Sequence, residues 1–139
     1  VDAFDADVLI YAAVEDHALG RRVRALFPKR QTDAIVGVGS VLLIPELLTK
    51  PIRTGSTDEL AALATLLSRL DLRPADEVVA ELAVALGARY GLQAADAVHL
   101  ATAVGVGADR FITNNRRDFA ESITEINIVY PDQLDDPNA

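Results

Sequence analysis

The sequence runs to 139 residues, half of them apolar, with no cysteine and a formal net charge of −8 at pH 7. That length suffices for one domain with its own core, expected over 1–139, while the missing cysteines exclude disulfides, thiolate chemistry and Cys-type zinc sites, and two distant histidines argue against a His-type one. No stretch of about 18 uncharged apolar residues offers a membrane span, and the acidic balance excludes nucleic-acid binding by overall attraction, although bound divalent cations would supply positive charge locally.

Short apolar runs alternate with longer amphipathic ones, without internal repeat or low-complexity linker. This pattern predicts an α/β fold, a three-layer α/β/α sandwich around a mainly parallel five-stranded sheet. The first strand covers Asp2 to Asp5 and passes into a helix that begins near Asp7 and ends before Phe27-Pro28. A second strand, "DAIVGV" from Asp33 to Val38, precedes a helix through "SVLLIPELLTK", with Ser40 as N-cap and Pro45 either bending that helix or marking its start. "STDELAALATLLSRL" carries apolar residues at helical spacing, with Ser56 or Thr57 as cap and Asp58 and Glu59 at the positive helix end. After a short strand near Leu72, "ADEVVAELAVALGARYG" predicts a helix closed by Gly91. "LQAADAVHLATAVGVG" predicts another, followed by a strand "DRFIT", a polar turn "NNRRDF" and a last strand "INIVY". The chain does not open on a basic segment followed by an apolar one, so no secretory signal is visible and a cytoplasmic protein is expected.

Ligands of open parallel sheets collect at the carboxyl ends of the strands. Acidic side chains stand at four such places: Asp5 at the end of the first strand, Glu46 on the helix after the second, Asp96 in "LQAADAVHLATA", and the turn from Asn115 to Asp118. The neighbours of Asp96 are nearly all apolar or small, which points its carboxylate into a lined recess. No Lys or Arg is close to it in sequence, and buried acids that converge without counterions repel one another. A hard divalent cation resolves that conflict. Oxygen-only ligands suit Mg²⁺ or Mn²⁺, which commonly take one or two carboxylates, several waters and substrate phosphate. Such ions bind a phosphodiester, activate water and stabilise the leaving oxygen, which is the chemistry of hydrolysis.

"FDADVLIY", "IPELLTKP", "AADAVHLATA" and "FITNNRRDF" together resemble the four acidic motifs of the PIN-domain family, specifically its VapC-like ribonuclease toxins from prokaryotic toxin–antitoxin pairs. The resemblance spans nearly the whole chain, and the last two motifs carry most of its specificity. It implies that Asp5, Glu46 and Asp96 hold Mg²⁺ or Mn²⁺ and that the hydroxyl of Thr113 orients the acids. In the fourth motif the family often has an acid where this chain has Asn115, with another just beyond, here Asp118. The fourth ligand is therefore expected at Asp118, with Asn115 orienting the cluster. Asp7 falls where the family more often has Asn or Ser. An RNA substrate, a homodimer and a small antitoxin whose tail occludes the cleft are implied as well.

Each of these residues also has a purely structural reading. Asp5 ends a strand, Asp96 complements a helix dipole, and Glu46 is an ordinary solvated helix residue; the resemblance favours the metal role for all three. Asp7 is read as the N-cap of the first helix, with added charge at the site as the alternative. His99 shares the helix face of Asp96 and is read as a hydrogen-bonded core histidine, His17 as a surface residue. Arg116 and Arg117 are either a solvated turn or contacts to RNA phosphate. The stripes from Leu60 to Leu70 and Val78 to Leu86 are core or subunit interface. Two other functions compete. One takes "DAD" as the D-x-D of a haloacid-dehalogenase-type phosphatase with Asp5 as nucleophile, although the Lys such enzymes need downstream is missing after Lys50. The other is a catalytically inactive PIN-like binding or oligomerisation module in which Asn115 has disabled metal binding.

Overall fold

The computed structural model describes residues 1–29 and 34–138. Within them, strands and helices follow in the order β1 (Asp2–Phe4), α1 (Ala6–Ala13), α2 (Ala18–Arg24), β2 (Gly37–Ser40), α3 (Leu43–Thr54), α4 (Thr57–Leu67), β3 (Leu70–Arg73), α5 (Glu77–Tyr90), α6 (Ala94–Gly105), β4 (Arg110–Ile112) and β5 (Asn127–Val129). A 3₁₀ turn, Pro131–Gln133, follows. The strands form one sheet in the order β3-β2-β1-β4-β5, every neighbouring pair parallel.

Successive strand residues point to opposite faces, and here both faces are apolar. Phe4, Ile112 and Val129 join helices α1 to α4 in one core cluster, whereas Ala3, Val38, Phe111 and Ile128 join α5 and α6 in the other. A sheet covered on both faces needs such unbroken apolar strands. The result is the expected three-layer α/β/α sandwich, its five strands parallel throughout.

The first helix departs from expectation by being two. Val14 leaves the helical backbone at φ −94° and ψ 113°, and His17 starts α2 afresh, its Nδ1 accepting from the Gly20 amide at 3.1 Å. Neither Gly nor Pro marks this break; packing imposes it. Helix α2 folds back onto α1 so closely that a Cβ on Gly20 would lie 2.0 Å from the Tyr11 carbonyl oxygen. Arg24 fastens the turn by donating to the carbonyls of Ala12, Val14 and Glu15 at 2.9, 2.8 and 2.6 Å. His17 is thus a half-buried cap stacked on Tyr11, with ring centroids 4.5 Å apart, and not a surface residue.

The second strand lies later than expected, at Gly37–Ser40; Asp33, its expected start, lies outside the described residues. Ser40 is a strand residue and not the N-cap of α3. Its Oγ accepts from the Leu42 amide at 3.1 Å, which turns the chain so that α3 begins at Leu43 and Pro45 falls in its first turn. Proline is tolerated there because first-turn amides have no helical acceptor, so Pro45 marks a start and not a bend. Helices α4 to α6 lie where their spacing and caps predict, and Gly91 closes α5 at φ 68°.

Candidate active site

From the central strand β1 the chain builds outward to β2 and β3, then crosses back to lay β4 and β5 on the other side. Such a reversal opens a crevice beyond the carboxyl ends of β1 and β4. Asp5 follows β1 directly, and Thr113, Asn114 and Asn115 follow β4. The crevice is therefore built from β1 and β4, the two neighbouring strands of the sheet that lie farthest apart in sequence.

Asp5 is 6% exposed, and its amide extends the ladder by donating to the Ile112 carbonyl at 2.9 Å. Its carboxylate is held at both oxygens: Oδ1 accepts from the Ala6 amide at 2.8 Å and so caps α1, while Oδ2 accepts from Thr113 Oγ1 at 2.8 Å. Burial pushes the Asp5 pKa up against the lowering effect of the Thr113 bond, of His99 and of the Ala6 amide, and the charge of Glu46 adds to the rise.

Asp5 occupies the cap position that the sequence assigned to Asp7. Asp7 instead lies in the first turn of α1, where Oδ2 accepts from the Asn114 amide at 3.0 Å and Oδ1 is buried without a partner among the described residues. Burial, and after it the charge of Asp5, push its pKa up to about 7, with Asp96 contributing. With Asp5 as the cap, Asp7 is the second residue of α1 and joins the crevice as a fifth acid; the two-residue offset allows this placement, but nothing local says which aspartate caps.

Asp96, in the first turn of α6, has its pKa raised by burial first, then by the charges of Asp5 and Asp118, with Glu46 adding and His99 opposing. Asp118 is fixed by its neighbour: Asn115 Nδ2 donates to Asp118 Oδ2 at 3.0 Å, and Asn115 Oδ1 accepts from the Asp118 amide at 3.2 Å. The Asn115 amide in turn donates to Thr113 Oγ1 at 3.1 Å. Glu46, on α3, meets His99 of α6, with Oε1 and Nε2 3.0 Å apart. His99 is buried as expected, but its bond runs to one of the candidate ligands, which periodicity along α6 had no means of showing.

Asp5, Glu46, Asp96 and Asp118 thus come from four separate segments into one electrostatic neighbourhood, with Asp7 beside them. Among the described residues no Lys or Arg pairs with any of the five. Oxygen donors that repel one another, one of them buried and unpartnered, suit a hard divalent cation. No three His, Asp or Glu side chains among the described residues form a ready-made ion cage. An ion that keeps several waters needs only one or two direct carboxylates, so the donor set fits Mg²⁺ or Mn²⁺ without one. Of the two arginines beside the crevice, Arg116 is tied back, donating to Asp132 Oδ2 at 2.7 Å and lying 4.1 Å over the Tyr130 ring, whereas Arg117 is exposed with no ion-pair partner among the described residues.

A family model described as the PIN domain matches residues 3–122. No curated protein matches the sequence. Among solved structures, the fold is similar to a toxin–antitoxin complex from Klebsiella pneumoniae, with TM-score 0.72 and 25% identity over 94% of this chain and 98% of that one. DNA-bound VapBC from Salmonella typhimurium has TM-score 0.70 and 23% identity over 94% and 97% of the two chains. VapBC2 from Rickettsia felis, bound to a DNA fragment from the promoter, has TM-score 0.68 and 18% identity over 93% and 97%.

Proposed function

This chain belongs to the PIN domain family, and from that premise we propose that it is a divalent-metal-dependent endoribonuclease, the toxin of a VapBC-like toxin–antitoxin pair, with Mg²⁺ or Mn²⁺ as cofactor. The observation that carries the reading is the crevice at β1 and β4, where carboxyl groups have raised pKa values from burial and from one another and, among the described residues, no Lys or Arg pairs with them. Such repulsion weakens a fold and gains nothing unless a cation enters.

Asp5, Glu46, Asp96 and Asp118 are the residues that would hold the ion, which when bound neutralises phosphate, activates water and stabilises the leaving oxygen. Thr113 orients Asp5 through its hydroxyl, and Asn115 orients Asp118 through its amide. Asn115 therefore keeps an acid at the fourth position instead of emptying it, which weighs against the inactive-module reading. The phosphatase reading needs a downstream Lys to hold the phosphoryl group, and no Lys follows Lys50. An RNA phosphate gains no long-range attraction from a chain of net charge −8, so capture as well as hydrolysis depends on the cation.

The Klebsiella structure is a complex of toxin with antitoxin, which supports an antitoxin as partner here. Val78 and Val84 on α5 are 75% and 73% exposed, apolar surface that assembly into a homodimer would cover. Among the described residues no helix is long and apolar enough to cross a membrane.

The test is cleavage of single-stranded RNA by the purified chain with Mg²⁺ or Mn²⁺. Cutting should cease in EDTA and in Asp5→Ala and Asp96→Ala, each still folded by circular dichroism. Cutting that persists in both variants overturns the assignment.

A further inference from the structure

His99 and Glu46 belong to helices on opposite faces of the sheet, α6 and α3, and meet at the crevice with Nε2 and Oε1 3.0 Å apart. The His99 side chain is 1% exposed and that of Glu46 33%. His99 Nδ1 is buried with no partner among the described residues. A hydrogen on Nε2 makes the bond to Glu46, in the neutral ring and in the imidazolium alike, whereas the Nδ1–H tautomer would turn a bare Nε2 lone pair against the carboxylate. The bond thus fixes Nε2 as the donor. A buried imidazole on α6, a helix that supplies Leu100, Ala101 and Ala103 to the apolar core, costs more than an aliphatic side chain would unless that bond has a use.

Glu46 supplies the use. Oε1 is occupied by His99, while Oε2 has no hydrogen bond among the described residues and the side chain reaches solvent. Thr113 holds one oxygen of Asp5, and Asn115 one oxygen of Asp118, in the same manner. We propose that His99 is a positioning residue for the cation: its Nε2–H fixes Glu46 Oε1 so that Oε2 is presented to the ion. The inference rests on the metal-site reading above and adds to it a residue outside the four acids.

Mn²⁺ affinity of the RNA-free protein, measured by electron paramagnetic resonance of the unbound ion, tests it without reference to activity. His99→Leu, which keeps the volume and removes the donor, should weaken Mn²⁺ binding by roughly 10–100-fold, the usual effect of losing an outer-shell partner. His99→Gln, whose amide nitrogen reaches the place of Nε2, should restore most of the affinity. In a Glu46→Gln background, His99→Leu should add no further loss. If His99→Leu does not fold, His99→Asn replaces it, since its shorter amide stops short of Glu46. A residue that merely ties α6 to α3 would shift the melting temperature and leave Mn²⁺ affinity alone. Unchanged affinity in His99→Leu beside a weakened Asp96→Asn overturns this inference and spares the metal site. Wild-type protein that binds no Mn²⁺, or binding untouched by Asp96→Asn, overturns both.

Discussion

A carboxyl group whose pKa is raised from 3.8 to about 7, as burial and Asp5 raise that of Asp7, destabilises the fold at neutral pH. Between those two values the native state binds more protons than the unfolded chain, so stability is greatest below the unfolded value and falls as pH rises through about 4 to 7. At 1.36 kcal/mol per pKa unit the upper bound is about 4 kcal/mol. The metal-free protein should therefore melt at lower temperature at pH 8 than at pH 5. Asp7→Asn keeps an acceptor for the Asn114 amide and should flatten that slope, gaining about 1–3 kcal/mol at pH 8; melting curves across the pH range read it, and parallel slopes for the two proteins would refute it. Thr113 is the opposite case. Fully buried, it donates to Asp5 and accepts from the Asn115 amide, so Thr113→Val should cost about 1–3 kcal/mol in chemical denaturation by leaving both partners unsatisfied. Thr113→Ser should recover most of it.

At the scale of elements, the contact of α1 with α2 depends on the missing side chain at Gly20. Gly20→Ala would press a methyl into the Tyr11 carbonyl and should destabilise by about 1–3 kcal/mol, as overpacking does, despite the better helix propensity of Ala; a denaturation midpoint at or above the wild type's would show that the helices can part. The same contact explains what the sequence could not disclose. Helices α4, α5 and α6 were legible because periodicity, Ser56 and Gly91 act locally. The break after Ala13 is imposed by a neighbour in space, and Ser40 was misplaced because it caps a turn and not a helix. In the crevice, the positions of Asp5, Glu46, Asp96 and Asp118 at strand ends and first turns could be read from topology. The cap at Asp5 instead of Asp7, and the bond from His99 to Glu46, are tertiary facts with no local mark.

Over the whole molecule, a net charge of −8 and an uncompensated acidic crevice make the fold itself a reporter of cation binding. Mg²⁺ or Mn²⁺ at about 100 times its Kd should stabilise by about 2.7 kcal/mol, whereas NaCl of equal ionic strength should not; thermal melts compare them, and equal effects would reduce the cation to screening. RNA affinity should fall in EDTA together with turnover, and affinity unchanged by chelation would contradict metal-dependent capture. One property of the sheet reaches beyond the finished protein. Strand β1 lies in the middle, paired to β4, and the Asp2–Arg110 and Asp5–Thr113 bonds each join residues 108 positions apart. During translation Asp5 exists long before Thr113 has been made to grip it. A chain that ends before β4 lacks the hydroxyl that holds Asp5, so the crevice is completed only when the last quarter of these 139 residues has been made.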